Sequence, residues 1–301
     1  MRVGLKSFLF LFLLLLGCSK PISQTRETID FGAKEIAERL CRLGPRDSCT
    51  PGAAAAANWI ASELQFSGYK PKIDKFNDPA ADEKERIFRN VVATLKGAGD
   101  KHYVLLSHYD TKSGISPDFV GANDGGSSTA LLLALANHFR LSPPDATLTF
   151  AFLDGEECKD DYGPYDGLHG SRHLAAQLKA SRVRVDGVIL LDMVGDEDLL
   201  LTIPVNSSAR LISILQRAAK ATGIDKRVRE TTMELRDDHV PFLQLGYHAI
   251  DIIDFDYGSS PGRNDYWHTP EDTIDKLSDS TLNMVGTLVV EMIDQLCDIG
   301  K

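Results

Sequence analysis

The sequence predicts an α/β fold: a single domain with a central, mostly parallel mixed sheet flanked by helices on both faces. Three observations carry this expectation. Short apolar runs rich in β-branched and aromatic residues alternate with longer stretches of helical periodicity. Nearly every such run ends in a His or a carboxylate, the strand end at which open α/β sheets place their sites. No internal repeat, low-complexity block or linker interrupts the pattern, and 301 residues with 43% hydrophobic content suffice for one large core.

The first 24 residues stand apart from that pattern. Arg2 and Lys6 precede an apolar run from Leu9 to Leu16 that is too short to span a bilayer comfortably, so residues 1–17 read as a signal peptide. Leu15-Leu16-Gly17-Cys18 resembles a bacterial lipobox, which implies cleavage before Cys18 and acylation of its thiol. Residues 18–24 would then be a lipid-anchored tether and residues 25–301 the folded domain. Ser19 in place of Asp after that Cys implies the outer membrane of a bacterial cell envelope, facing the periplasm. An ordinary secretory signal with a chance Cys is the alternative. The net charge of −10 argues against nucleic acid as a partner. Without Arg2 and Lys6, 31 of the 33 basic residues remain against 43 acidic ones, so membrane attachment would rest on the lipid.

The domain opens with Ile29, Ala33, Ile36, Leu40 and Leu43 at helical spacing, stopped by Gly44-Pro45. Thr50-Pro51 reads as an N-cap followed by Pro at the first helical position, opening an Ala-rich helix that ends at Gly68. Residues 77–86 are polar and charged and read as a loop. Asn90–Leu95 and Tyr103–Ser107 read as strands, and a helix follows over Ser127–Phe139. Thr147–Leu153 is a buried strand, and a helix begins near Ser171. Val188–Leu191 and His248–Asp254 are further strands, with helices over Ala209–Ala221 and Ser278–Cys297. Of the cysteines after Cys18, the pair Cys41 and Cys49 could close a small loop in an oxidising compartment; free buried thiols are the competing reading for Cys41, Cys49, Cys158 and Cys297.

The chemistry sits where the strands end. Tyr103–Ser107 runs into His108-Tyr109-Asp110, and the next loop carries Gly121-Ala122-Asn123-Asp124-Gly125-Gly126. Leu148–Leu153 runs into Asp154-Gly155-Glu156-Glu157, where the Gly permits a sharp turn before two carboxylates. Leu190-Leu191 runs into Asp192, and Trp267-His268-Thr269 precedes the last helix. Taken singly, Asp124 is an ordinary turn or cap residue, Asp192 a solvated acid, and His108 and His268 structural hydrogen-bonders. Together they describe a site of imidazole and carboxylate donors suited to zinc. His102, His138, His169, His173, His239 and His248 read as surface or structural residues, and Cys158 as a buried thiol.

These motifs, in this order over roughly residues 30–298, resemble the zinc aminopeptidases with co-catalytic metals. The resemblance implies a zinc aminopeptidase-like catalytic domain in which Asp124, Glu157 and His268 hold a metal and Glu156 is the general base. His108 and Asp192 would hold a second metal bridged by Asp124. A narrower resemblance adds Gly170-Ser171-Arg172-His173-Leu174-Ala175 and Asp237-Asp238-His239-Val240-Pro241-Phe242, and is to the glutaminyl-peptide cyclotransferase branch of the same fold. It implies one zinc on Asp124, Glu157 and His268, proton transfer by Glu156, an acidic network of Asp192 and Asp237, and Trp267 in the substrate pocket. Tyr162 stands where the animal enzymes carry a pocket Trp, and Asp251 where they carry a His.

The two branches differ in the attacking group. An aminopeptidase activates water with two metals. A cyclase closes a peptide's own N-terminal glutaminyl amine onto its side-chain amide and expels ammonia, which one metal suits better. If Asp237 lies beside Asp192, the pair should share a proton and ligate a second metal poorly. The expectation is one zinc with peptide or protein N-termini as substrate, and two zinc ions if the chain is an aminopeptidase instead. The oligomeric state is not legible.

Overall fold

A computed structural model describes residues 25–78 and 86–299; the signal, the tether with Cys18 and most of the loop read at 77–86 lie outside the described residues. In chain order, α1 (Ala33–Cys41) and α2 (Pro51–Phe66) precede β1 (Lys72–Phe76) and β2 (Phe88–Leu95). Then come β3 (His102–His108), α3 (Ser128–Leu141), β4 (Thr147–Leu153), α4 (His169–Ala180) and β5 (Gly187–Asp192). The remainder is β6 (Leu201–Ile203), α5 (Ala209–Thr222), β7 (Val228–Glu230), α6 (Val240–Gln244), β8 (Ala249–Ile253) and α7 (Asp279–Asp298).

Six strands form one sheet in the order β1-β2-β4-β3-β5-β8. Strands β4, β3, β5 and β8 are parallel, with Leu105 opposite both Phe150 and Ile189, and Ile189 opposite Ile250. The edge pairs β1/β2 and β2/β4 are antiparallel, so the sheet is mixed as the sequence predicts. Strands β6 and β7 form a separate parallel pair.

Alternation along the strands divides the core. Tyr103, Leu105, Phe150, Ile189 and Ile252 face a layer that contains side chains of α2, α3, α5 and α7. Val104, Leu106, Ala151, Leu190 and Ala249 face the layer containing Leu174 of α4 and Phe242 of α6. Both faces are therefore covered, which buries the parallel strands and leaves their carboxyl ends as the open rim. Among the described residues no helix is long and apolar enough to cross a membrane.

Three expectations change. The first helix begins at Ala33 and not near Ile29, because the amides of Ile29 and Phe31 donate to Thr287 Oγ1 and Asn283 Oδ1 of α7, at 2.9 and 2.8 Å, in an extended approach. The Lys72–Phe76 strand was hidden by its three charged residues. Among the described residues Cys41 and Cys49 form no disulfide, so the Cys41–Cys49 loop is not closed. Cys41 lies buried on α1 with Sγ 3.9 Å from Val120 O, and burial pushes the Cys49 thiol up to about 11.

Candidate active site

Two turns at the sheet's carboxyl rim present the carboxylates. After β4, Gly155 adopts φ 76°, and a Cβ there would sit 2.6 Å from the Phe88 ring, so only glycine turns the chain toward Glu156 and Glu157 at this point. Before α3, residues Ala122–Ser127 form a wide helical turn broken at Asp124 (φ −75°, ψ 104°) and Gly125 (φ 74°). A Cβ on Gly125 would lie 2.9 Å from His108 Cε1, so glycine lets that loop close over the end of β3. His268, by contrast, holds a left-handed φ of 54° without being glycine, a strained backbone at a site-facing residue.

These turns bring the proposed ligands together. His268 Nε2 lies 3.2 Å from Asp124 Oδ2 and 3.1 Å from Glu157 Oε1. One donor atom from each of Asp124, Glu157 and His268 falls within 4.8 Å of the others. His108, Asp124 and Asp192 meet the same condition, with His108 Nε2 at 3.2 Å from both Asp124 Oδ1 and Asp192 Oδ1. Asp124 thus faces one imidazole with each oxygen. Asp124 Oδ2 and Glu157 Oε2 are buried, and apart from the His268 imidazole facing Asp124 Oδ2 no donor serves them. Buried carboxylate oxygens so poorly served are costly, and a cation bound by this His and carboxylate set would satisfy them. The residues present fit a divalent metal of the zinc type.

The electrostatics follow from burial without that charge. Burial, with Asp124 adding to it, pushes Glu157 up to about 8 even though His268 opposes the shift. His268 is raised to about 9: burial works against it, and Asp124 and Glu157 more than compensate. Glu156 is held well above the usual carboxylate range by burial and then by Glu157, Asp237 and Asp238, with His108 opposing. Asp237 is raised well above its ordinary value by burial and by Asp192, its largest charged perturber.

Two carboxylates to which the sequence assigned no role brace the ligand turns. Asp110 accepts the amides of Glu156 and Glu157 at 3.2 and 3.1 Å, and the Ser48 hydroxyl at 2.9 Å. Asp272 accepts the amides of Asn123 and Asp124 at 2.7 and 3.1 Å, and the Tyr257 hydroxyl at 2.8 Å. Each braces two successive peptide groups that carry a candidate ligand.

The pocket above the carboxylates is a cavity of about 210 Å³, with Tyr162, Trp267, Phe255 and Arg236 among its walls. The Tyr162 hydroxyl donates to both Glu156 oxygens at 2.9 and 3.1 Å. Trp267 stacks on His268 with ring centroids 4.0 Å apart and tilts against Phe255. Beneath this pocket Asp237, His239 and Asp251 form a buried cluster, and the His239 imidazole, read from sequence as structural, has no hydrogen-bond partner. A larger groove of about 720 Å³ lies elsewhere, lined by Tyr69, His102 and Leu174; it holds none of the converging donors.

The fold and this site are those of a known class. Residues 90–293 match peptidase family M28, and the chain belongs to that family. It falls in the family's glutaminyl cyclase branch. A curated relative, the glutaminyl-peptide cyclotransferase of Drosophila melanogaster, is 27% identical over 276 residues, covering 82% of this chain and 76% of its own length. A crystal structure of a glutaminyl cyclase from an Acidobacteriales bacterium superposes with a TM-score of 0.85 at 33% identity, covering 94% of this chain and all of that one. A leucine aminopeptidase precursor from Bacteroides thetaiotaomicron superposes with a TM-score of 0.77 at 26% identity, covering 90% of this chain and 98% of its own.

Proposed function

We propose that this chain is a zinc-dependent glutaminyl-peptide cyclotransferase that converts the N-terminal Gln of peptides or proteins to pyroglutamate and releases ammonia. Asp124, Glu157 and His268 would hold the zinc. When bound, the ion would polarise the γ-carbonyl of the substrate glutamine. The substrate's α-amine attacks that carbonyl carbon; the new N–C bond closes a five-membered ring as the bond to the amide nitrogen breaks. Glu156 takes the proton from the attacking amine and returns it to the departing nitrogen, which leaves as ammonia. Tyr162 fixes the orientation of Glu156 through its hydroxyl. Trp267, Phe255 and Ile253 give the side chain an apolar wall and exclude water, so that the compact intramolecular conformer competes with hydrolysis.

The observation that carries this reading is the acidic wall of the pocket. Asp192 and Asp237 line the same pocket, and burial together with the charge of Asp192 holds the buried Asp237 carboxyl well above its ordinary range, which disfavours a second cation beside it. Burial lowers His108, but Asp192, Asp110 and Asp124 prevail and raise it well above its ordinary value. The second reading, a two-zinc aminopeptidase, is favoured by the convergence of His108, Asp124 and Asp192. Mass spectrometry of a Gln-initiated peptide after incubation separates the two. Loss of ammonia supports the cyclase; loss of the whole first residue with no pyroglutamate rejects it.

Attachment to the cell envelope through a lipidated Cys18 rests on the sequence around that residue. Fatty-acid labelling that survives Cys18→Ala would overturn it.

A further inference from the structure

We infer that Arg236 makes the enzyme selective for peptides with an acidic residue directly after the N-terminal glutamine. This deepens the cyclase reading and rests on it. The glutaminyl residue must enter the cavity of about 210 Å³ above Asp124, Glu156 and Glu157, while the rest of the peptide leaves through its mouth. The walls of that cavity are buried or half-buried except at Arg236, which is exposed and therefore marks the mouth. Apart from the imidazole of His268, it is the one cationic side chain among the lining residues.

Its guanidinium is held but not neutralised. Nη1 donates to the backbone oxygen of Tyr162 at 2.6 Å, which ties the arginine to the residue whose hydroxyl touches Glu156. No carboxylate pairs with it among the described residues, although Asp237 follows it directly and the chain carries a net charge of −10. The backbone that presents it is fixed on both sides. Asn206 Nδ2 donates to Leu235 O at 2.8 Å, the Leu235 amide donates to Asn206 Oδ1 at 3.3 Å, and Asp237 is buried. An arginine with one N–H anchored and its remaining donors open offers a planar fork that suits a carboxylate. The acceptor that fits this position is a substrate Glu or Asp side chain, because the residue after the reacting glutamine is the first to pass the rim.

The test compares kcat/KM for three C-terminally amidated peptides that differ only in the second residue: Gln-Glu, Gln-Ala and Gln-Lys. The wild-type enzyme is expected to favour Gln-Glu over Gln-Lys by about tenfold, mostly through KM. Arg236→Ala should collapse that ratio, Arg236→Lys should retain part of it, and Arg236→Glu should invert it. A strut between the Tyr162 loop and Leu235 would instead lower turnover of all three peptides together and leave the ratio unchanged, which would overturn the inference. So would a wild-type enzyme that treats the three alike. Conversion of none of them to pyroglutamate would overturn the cyclase reading and this inference with it.

Discussion

Tyr162 closes a forked hydrogen bond onto Glu156, its hydroxyl 2.9 Å from Oε1 and 3.1 Å from Oε2. The carboxylate proposed to move the proton is therefore oriented by a residue from its own loop, six positions along the chain. Tyr162→Phe keeps the ring and deletes only that donor. Turnover by ammonia release is expected to fall about 10- to 100-fold with a smaller change in KM, the cost of removing a hydrogen bond to a charged group. An unchanged kcat would leave the hydroxyl without a role in orienting Glu156.

The brace at Asp272 should be felt by the metal. Asp272→Ala leaves the amides of Asn123 and Asp124 and the Tyr257 hydroxyl without their acceptor. Zinc affinity, measured by competition with a chromophoric chelator, is expected to drop about 10- to 100-fold. Asp110→Asn should act in the same direction through the Glu156 and Glu157 amides. Wild-type affinity in both variants would contradict the bracing role.

Metal binding should displace protons. Without metal, Glu157 titrates at about 8 and His268 at about 9, so at pH 7 the pair carries protons that zinc ligands must lose. Calorimetry at pH 7 in buffers of different ionisation enthalpy should show release on the order of two protons per zinc. The raised folded-state values also set the sign for metal-free stability. Both groups, with Asp154 pushed to about 8 by burial and by Asp110, stabilise the fold while protonated. That stability is fully present below the unfolded-state values and is lost as pH rises through about 8 to 9. Denaturant midpoints of the metal-free protein should accordingly fall between pH 6 and pH 9, and zinc should reduce the fall.

Gly155 tests the turn itself. With φ at 76° and a Cβ only 2.6 Å from the Phe88 ring, Gly155→Ala is expected to cost about 1–3 kcal/mol in denaturant unfolding and to weaken zinc binding as the two glutamates shift.

Much of this arrangement was legible in the sequence because one signal marks both the strand and its site. Leu105-Leu106-Ser107-His108 and Phe152-Leu153-Asp154-Gly155-Glu156-Glu157 are apolar runs that end in donors, so finding the strand finds the rim. Thr50-Pro51 marked the start of α2 for a local reason, and the Thr50 side chain does accept the Ala53 amide. What stayed hidden depends on distant partners. Asp272 bonds residues 148 and 149 positions away, and Asp110 bonds residues 46 and 47 positions away. Asp110 sat inside a quoted motif and Asp272 lies four residues after His268, yet their bonds are to backbone amides, which leave no mark in side-chain spacing. Strands β6 and β7, three residues each, are too short for periodicity to register. Arg236 belongs to none of the motifs, and only the pocket places it at a mouth.

The stack of Trp267 on His268 has a practical consequence. The sequence contains two tryptophans, and the other, Trp59, sits on α2 beside Arg39, in a different part of the structure. An indole 4.0 Å from an imidazole that exchanges a proton for a cation should change its emission when the exchange happens. Intrinsic fluorescence, with Trp267→Phe as the blank, would then follow occupancy of the centre in real time without a dye or a substrate.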